Sequence, residues 1–130
     1  MTKLKSLKPF IPAYSFATLI LIGSSIPTDR LNRLQRQIPI MRILLSDFVI
    51  HFFAFAILVI LLGIGYIKAN KPKFWWAKAA AASLFVGVLV EVIQLFLPYR
   101  SFSTGDLGVD IIGIIAALVP FVVINEIDGK

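Results

Sequence analysis

Four long apolar runs, each bounded by charged, proline or turn residues, dominate the pattern of the chain. The first, residues 10–26, follows Lys3, Lys5 and Lys8 and runs out at Gly23, Ser24 and Ser25 before Pro27. The second, residues 48–67, is opened by Ser46 and Asp47, residue types that cap the exposed amides of a helix start, and is closed by Lys68, Asn70, Lys71 and Pro72. The third, residues 75–97, begins with a Trp pair suited to the headgroup level and stops at Pro98, which cannot continue a helix. The fourth, residues 107–124, follows the turn and cap residues Ser103, Thr104, Gly105 and Asp106 and fades into Asn125, Glu126 and Asp128. A bilayer crossing takes about 20 apolar residues. The pattern therefore predicts an all-α polytopic membrane protein, a bundle of four transmembrane helices in a single domain over residues 1–130.

Several details refine that expectation. Pro12 falls in a first helical turn, where proline is tolerated, and Pro120 is expected to kink the end of the last span. The first run also fits a cleavable leader, with its basic start and the small residues Gly23 and Ser25, but a retained span is preferred. Between the first two runs Leu31, Leu34 and Ile38 recur at helical spacing while Arg30, Arg33 and Arg36 point elsewhere. A short interfacial helix with its arginines on lipid phosphate is one reading of this stretch, and a solvated connector broken at Pro39 is the other.

Composition sharpens the class. At 130 residues with 58% apolar, 15% charged and a mean hydropathy of +0.90, the chain is far more apolar than a soluble domain. The absence of cysteine rules out disulfides, thiolate catalysis and cysteine zinc sites. Thirteen Lys and Arg against seven Asp and Glu give +6, which at span ends points to anionic lipid as the partner rather than nucleic acid. All eight lysines lie in the N-terminus, the second loop and its flank, or the C-terminus, and all five arginines in the first and third loops. That bias predicts both termini in the cytoplasm.

The chemistry lies in the few ionisable residues inside the apolar runs, since each costs about 2.5–3.5 kcal/mol near a bilayer centre unless it has a partner or a task. Asp47 and His51 open the second run, Glu91 and Gln94 close the third, and Asp106 and Asp110 open the fourth. Alternating connectivity brings all of them to one membrane face. Counted from the span ends, Glu91 is about 9 Å deep and His51 and Asp110 about 6 Å, so the three can meet. Small residues continue their faces: Ala54 after His51, Gly87 and Ser83 before Glu91, Gly113 and Ala117 after Asp110. Such faces let helices pack closely. Arg100, in the loop over this site, either neutralises one of the acids or meets a phosphate or carboxylate. Ser101, Ser103 and Thr104 read as caps rather than nucleophiles. A lone histidine lacks metal-ligand spacing, so neither a metal nor a cofactor is expected.

The ordered motifs Asp47 through Phe55, Glu91 through Phe102, and Asp106-Leu107 with Asp110 to Gly113 resemble the VanZ-like family, and Ser24-Ser25 before Pro27 fits it too. Two positions depart from the family pattern: Phe48 stands where the family carries Lys, and Asp110 where it carries Asn. The first removes a flanking cation and the second adds a carboxylate. The resemblance implies a small protein of the bacterial cytoplasmic membrane and cell envelope, whose founding relative lowers susceptibility to the glycopeptide teicoplanin. It supplies no reaction.

Two uses of the cluster follow, together with a structural one. In the first, an outward-facing polar pocket with Arg100, Gln94, Ser101, Asp106, Asp47 and Ser25 binds a lipid headgroup, a cell-wall precursor or a lipophilic glycopeptide. In the second, a membrane-embedded hydrolase or transferase uses Glu91 or Asp110 as base and His51 as acid or metal ligand. In the third, the polar groups only hold the helices together.

Overall fold

The computed structural model describes residues 7–25, 29–44, 46–98 and 104–128, and among these every regular element is helical. A 3₁₀ turn, Lys8–Phe10, leads into α1, Ile11–Ser25; α2, Asp29–Gln37, and α3, Met41–Leu44, form the first connection; α4 is Asp47–Lys68, α5 Trp75–Leu95 and α6 Thr104–Asp128. Three helices, α4, α5 and α6, are long and apolar enough to cross a bilayer. Buried residues make up only 33%, 28% and 28% of their most apolar windows, and the remaining apolar surface faces outward. Water would not tolerate that surface, whereas acyl chains match it. The chain is a multi-pass membrane protein.

The first predicted span is shorter than expected. α1 has 15 residues, about 22 Å at helical rise, against about 30 Å of hydrocarbon. It nonetheless runs antiparallel to α4 along the bundle. Phe10, just before it, packs edge-on against Tyr66 near the end of α4 with ring centroids 4.8 Å apart, while Ser24 at its other end meets Gln94 of α5. The other limits shift by a few residues: α5 stops at Leu95 rather than Leu97, and α6 opens at Thr104, ahead of Leu107, and continues through Pro120 to Asp128. The predicted stretch between the first two runs is helical as α2, with Arg33, Leu34 and Arg36 exposed.

Local chemistry sets the helix ends near the site. Ser46 is extended and its hydroxyl accepts from Val49 N at 3.3 Å, so α4 starts at Asp47 and His51 falls one turn in. At the opposite end Asn70, Lys71 and Phe74 take left-handed backbone conformations that turn the chain from α4 into α5 within six residues, 69–74. Lys71 then reaches Glu126 at 3.7 Å, tying this turn to the end of α6.

The most extensive helix contact is α4 with α6. It is a backbone contact. A Cβ added at Gly113 would stand 2.5 Å from the carbonyl oxygen of Phe52, so only glycine permits the crossing at that height. Phe55, Leu58, Val59 and Leu62 of α4 then pack with Ala79 of α5, Ile114 and Leu118 of α6 and Ala13 of α1 to form the buried core.

Candidate functional site

The Gly113–Phe52 crossing sits next to the polar residues and accounts for their meeting. Phe52 follows His51, and Gly113 lies one turn beyond Asp110. His51 Nδ1 stands 2.7 Å from Asp110 Oδ1; with the carboxylate as acceptor, Nδ1 carries the proton. On the other side of the ring Nε2 faces Asp106 Oδ2 at 3.9 Å. The ring of Phe55, 1% exposed, stacks on the imidazole at 15° and 6.3 Å, which holds its plane.

α5 closes the third side. Ser83, Gly87 and Glu91 are spaced four apart and line one buried face, and Gln94 lies on it one turn further. Asp110 is 0% and Glu91 1% exposed. Donor atoms of His51, Glu91 and Asp110, one from each of three helices, all lie within 4.8 Å of one another. Asp110 Oδ2 points at α5 and would be 3.1 Å from a Cβ at Gly87, and it has no hydrogen-bond partner among the described residues. The hydroxyl of Ser83 is likewise buried without one.

Next to this nest lies a partly open cavity of about 280 Å³ between α1, α4 and α5. Phe16, Leu19, Ile20, Ile50, Ala54, Phe55 and Val90 wall it, and His51, Gln94 and Ser24 supply its polar end. Gln94 Nε2 donates to the Ser24 carbonyl at 3.3 Å and so closes that end between α1 and α5.

The structure thus brings His51, Glu91, Asp106 and Asp110 together and sets Gln94 beside them. Ser24 and Ser25 both donate their hydroxyls back to Leu21 O, at 3.0 and 2.8 Å, and of the two it is Ser24 that lines the cavity. Asp47 occupies the first position of α4. Arg100 and Ser101 lie outside the described residues. The cavity itself was not legible in the residues, because it is a gap between α1 and the α4–α5 pair. The small residues Gly23 and Ala54, which leave that space empty, were its only signal.

Three apolar helices carrying a buried His–Asp–Glu nest at one end define a polytopic membrane protein with a polar site. Within that class, a model of the VanZ/LLP1 family matches residues 9–125, nearly the whole chain, and the chain belongs to this family. Comparison with the curated proteins and with the solved structures gives no match.

Proposed function

We propose that the protein captures an amphiphile from the bilayer, its apolar part in the cavity beside α1 and its polar head at the His51 end. The observation that carries this reading is the cavity's division into an apolar wall and a polar end drawn from His51, Gln94 and Ser24. At about 280 Å³ it falls just under the range of about 300–1,000 Å³ that encloses a drug-sized ligand. It therefore takes part of a lipid-like molecule while the rest stays among acyl chains.

On this reading α1 is the fourth crossing. Its 15 residues with the preceding 3₁₀ turn add up to about 28 Å, close to the hydrocarbon thickness. α2 lies at the membrane surface with Arg33 and Arg36 toward lipid phosphate. Both termini are cytoplasmic and the site opens outward in the bacterial cytoplasmic membrane. In the sequence Arg100 falls between α5 and α6, the helices that carry Gln94 and Asp106. With Ser101 it meets an anionic headgroup, that of a phospholipid or a lipid-linked cell-wall precursor. A lipophilic glycopeptide such as teicoplanin carries the same combination of acyl chain and polar head, which connects this reading to reduced susceptibility.

Native mass spectrometry of gently solubilised protein tests the reading. Gly23 lines the cavity and a Cβ there meets nothing within 4 Å, so Gly23→Leu adds bulk at the cavity wall without a clash at its Cβ. Retained lipid that is lost in Gly23→Leu, and lost on exchange of Arg100 for Ala, is the expected result. No retained lipid in any of several lipid mixtures would overturn the capture reading.

One observation favours a second reading. The His51–Asp110 hydrogen bond holds an acid–base pair at the cavity's edge, the arrangement a membrane-embedded hydrolase or transferase needs, with Glu91 as a further base. Turnover of a bound lipid-linked substrate that stops in His51→Gln would establish it.

A further inference from the structure

We propose that His51, Glu91 and Asp110 form a binding site for a divalent first-row transition ion of the Mn²⁺, Fe²⁺ or Zn²⁺ kind. One imidazole nitrogen and two carboxylate oxygens are a donor set that such ions accept, softer than the all-oxygen cages of Ca²⁺ and Mg²⁺. The three come from α4, α5 and α6, and their donor atoms already lie within 4.8 Å of one another. Ligands about 2.1 Å from a tetrahedral ion stand about 3.4 Å apart. Closing the site from 4.8 Å thus takes side-chain shifts of up to about an ångström, within the reach of rotations about the side-chain bonds.

A second observation points to a ligand rather than to a chance meeting of acids. Asp110 Oδ2 is buried, has no hydrogen-bond partner among the described residues, and is directed at the face of α5 that carries Glu91 one turn beyond Gly87. An unpaired carboxylate oxygen in a dry interior is costly, and an ion satisfies it. A second carboxylate stands on the outer side of the ring. When an ion takes Nδ1, the ring proton moves to Nε2, which faces Asp106 Oδ2 at 3.9 Å. A carboxylate behind a ligating imidazole is the usual support of such sites. Three protein ligands leave coordination positions open. His51 also lines the cavity, so on the amphiphile-capture reading an anionic oxygen of the captured head completes the shell.

The chain's single histidine makes the test specific. Protein purified in detergent with a histidine-free tag and no chelator is titrated with Mn²⁺ and followed by electron paramagnetic resonance, with a ¹⁵N-histidine-labelled sample for nitrogen coupling. Saturation at one ion per chain, with coupling to one imidazole nitrogen and displacement by Zn²⁺, is expected. Glu91→Gln and Asp110→Asn, checked for helicity and monodispersity, should each weaken Mn²⁺ binding by about tenfold or more. Absence of Mn²⁺ and Zn²⁺ binding, an ion without histidine coupling, or unchanged affinity in both folded variants would overturn the site. If the variants fail to fold, the coupling in the unaltered protein decides alone. Absence of retained lipid in the mass spectrometry does not bear on the Mn²⁺ titration, and absence of Mn²⁺ does not bear on lipid retention, so the two readings fail separately.

Discussion

Gly113→Ala is the sharpest perturbation of the site that leaves all its polar residues intact. The added Cβ would stand 2.5 Å from the Phe52 carbonyl oxygen, and ordinary contact begins at 3.4 Å, so α4 and α6 must separate by about 0.9 Å. Carried to the adjacent His51–Asp110 pair, the same displacement lengthens 2.7 Å to about 3.6 Å, beyond a hydrogen bond. Overpacking costs about 1–3 kcal/mol, and a lost hydrogen bond between membrane helices about 0.6–1.7 kcal/mol. The expected destabilisation is therefore about 2–5 kcal/mol. Reversible unfolding in mixed micelles measures it, and the ¹⁵N resonances of the sole imidazole report the hydrogen bond directly. Ala at this position with unchanged stability and unchanged imidazole resonances would refute the claim that the backbone crossing positions the pair.

Other substitutions separate the parts of the site. Gly87→Ala brings a methyl to 3.1 Å from Asp110 Oδ2, a clash that a slight carboxylate rotation relieves, so it should shift the imidazole resonances while costing about 1 kcal/mol or less, below Gly113→Ala in the same assay. Ser83→Ala removes a buried hydroxyl with no hydrogen-bond partner among the described residues; unfolding should show it neutral or stabilised by about 1 kcal/mol, and a clear loss would mean that Ser83 has an essential partner. Ser46→Ala deletes the cap of α4 and should cost about 0.5–2 kcal/mol, with amide exchange rising first at Val49.

The order of apolar runs, their caps and their closing prolines determined the helical class, the membrane setting and the end of the bundle at which the ionisable residues gather. Helix direction alternates whatever the packing, so His51, Glu91 and Asp110 had to share a face, and their depths follow from helical rise. Those are properties of local sequence. What the residues could not state is which helices touch and how closely, because that depends on where small side chains from distant segments coincide. Gly113 meets the backbone of Phe52 and Gly87 the carboxylate of Asp110 only after three helices have packed. The same applies to α1. Its apolar stretch signalled a crossing, but the cavity beside it, the exchange of Ser25 for Ser24 at its edge, and the closing contact from Gln94 are matters of how one short helix leans on two long ones. Between helices in lipid there is little hydrophobic force to announce a partner, so the fit of surfaces decides, and fit exists only in three dimensions.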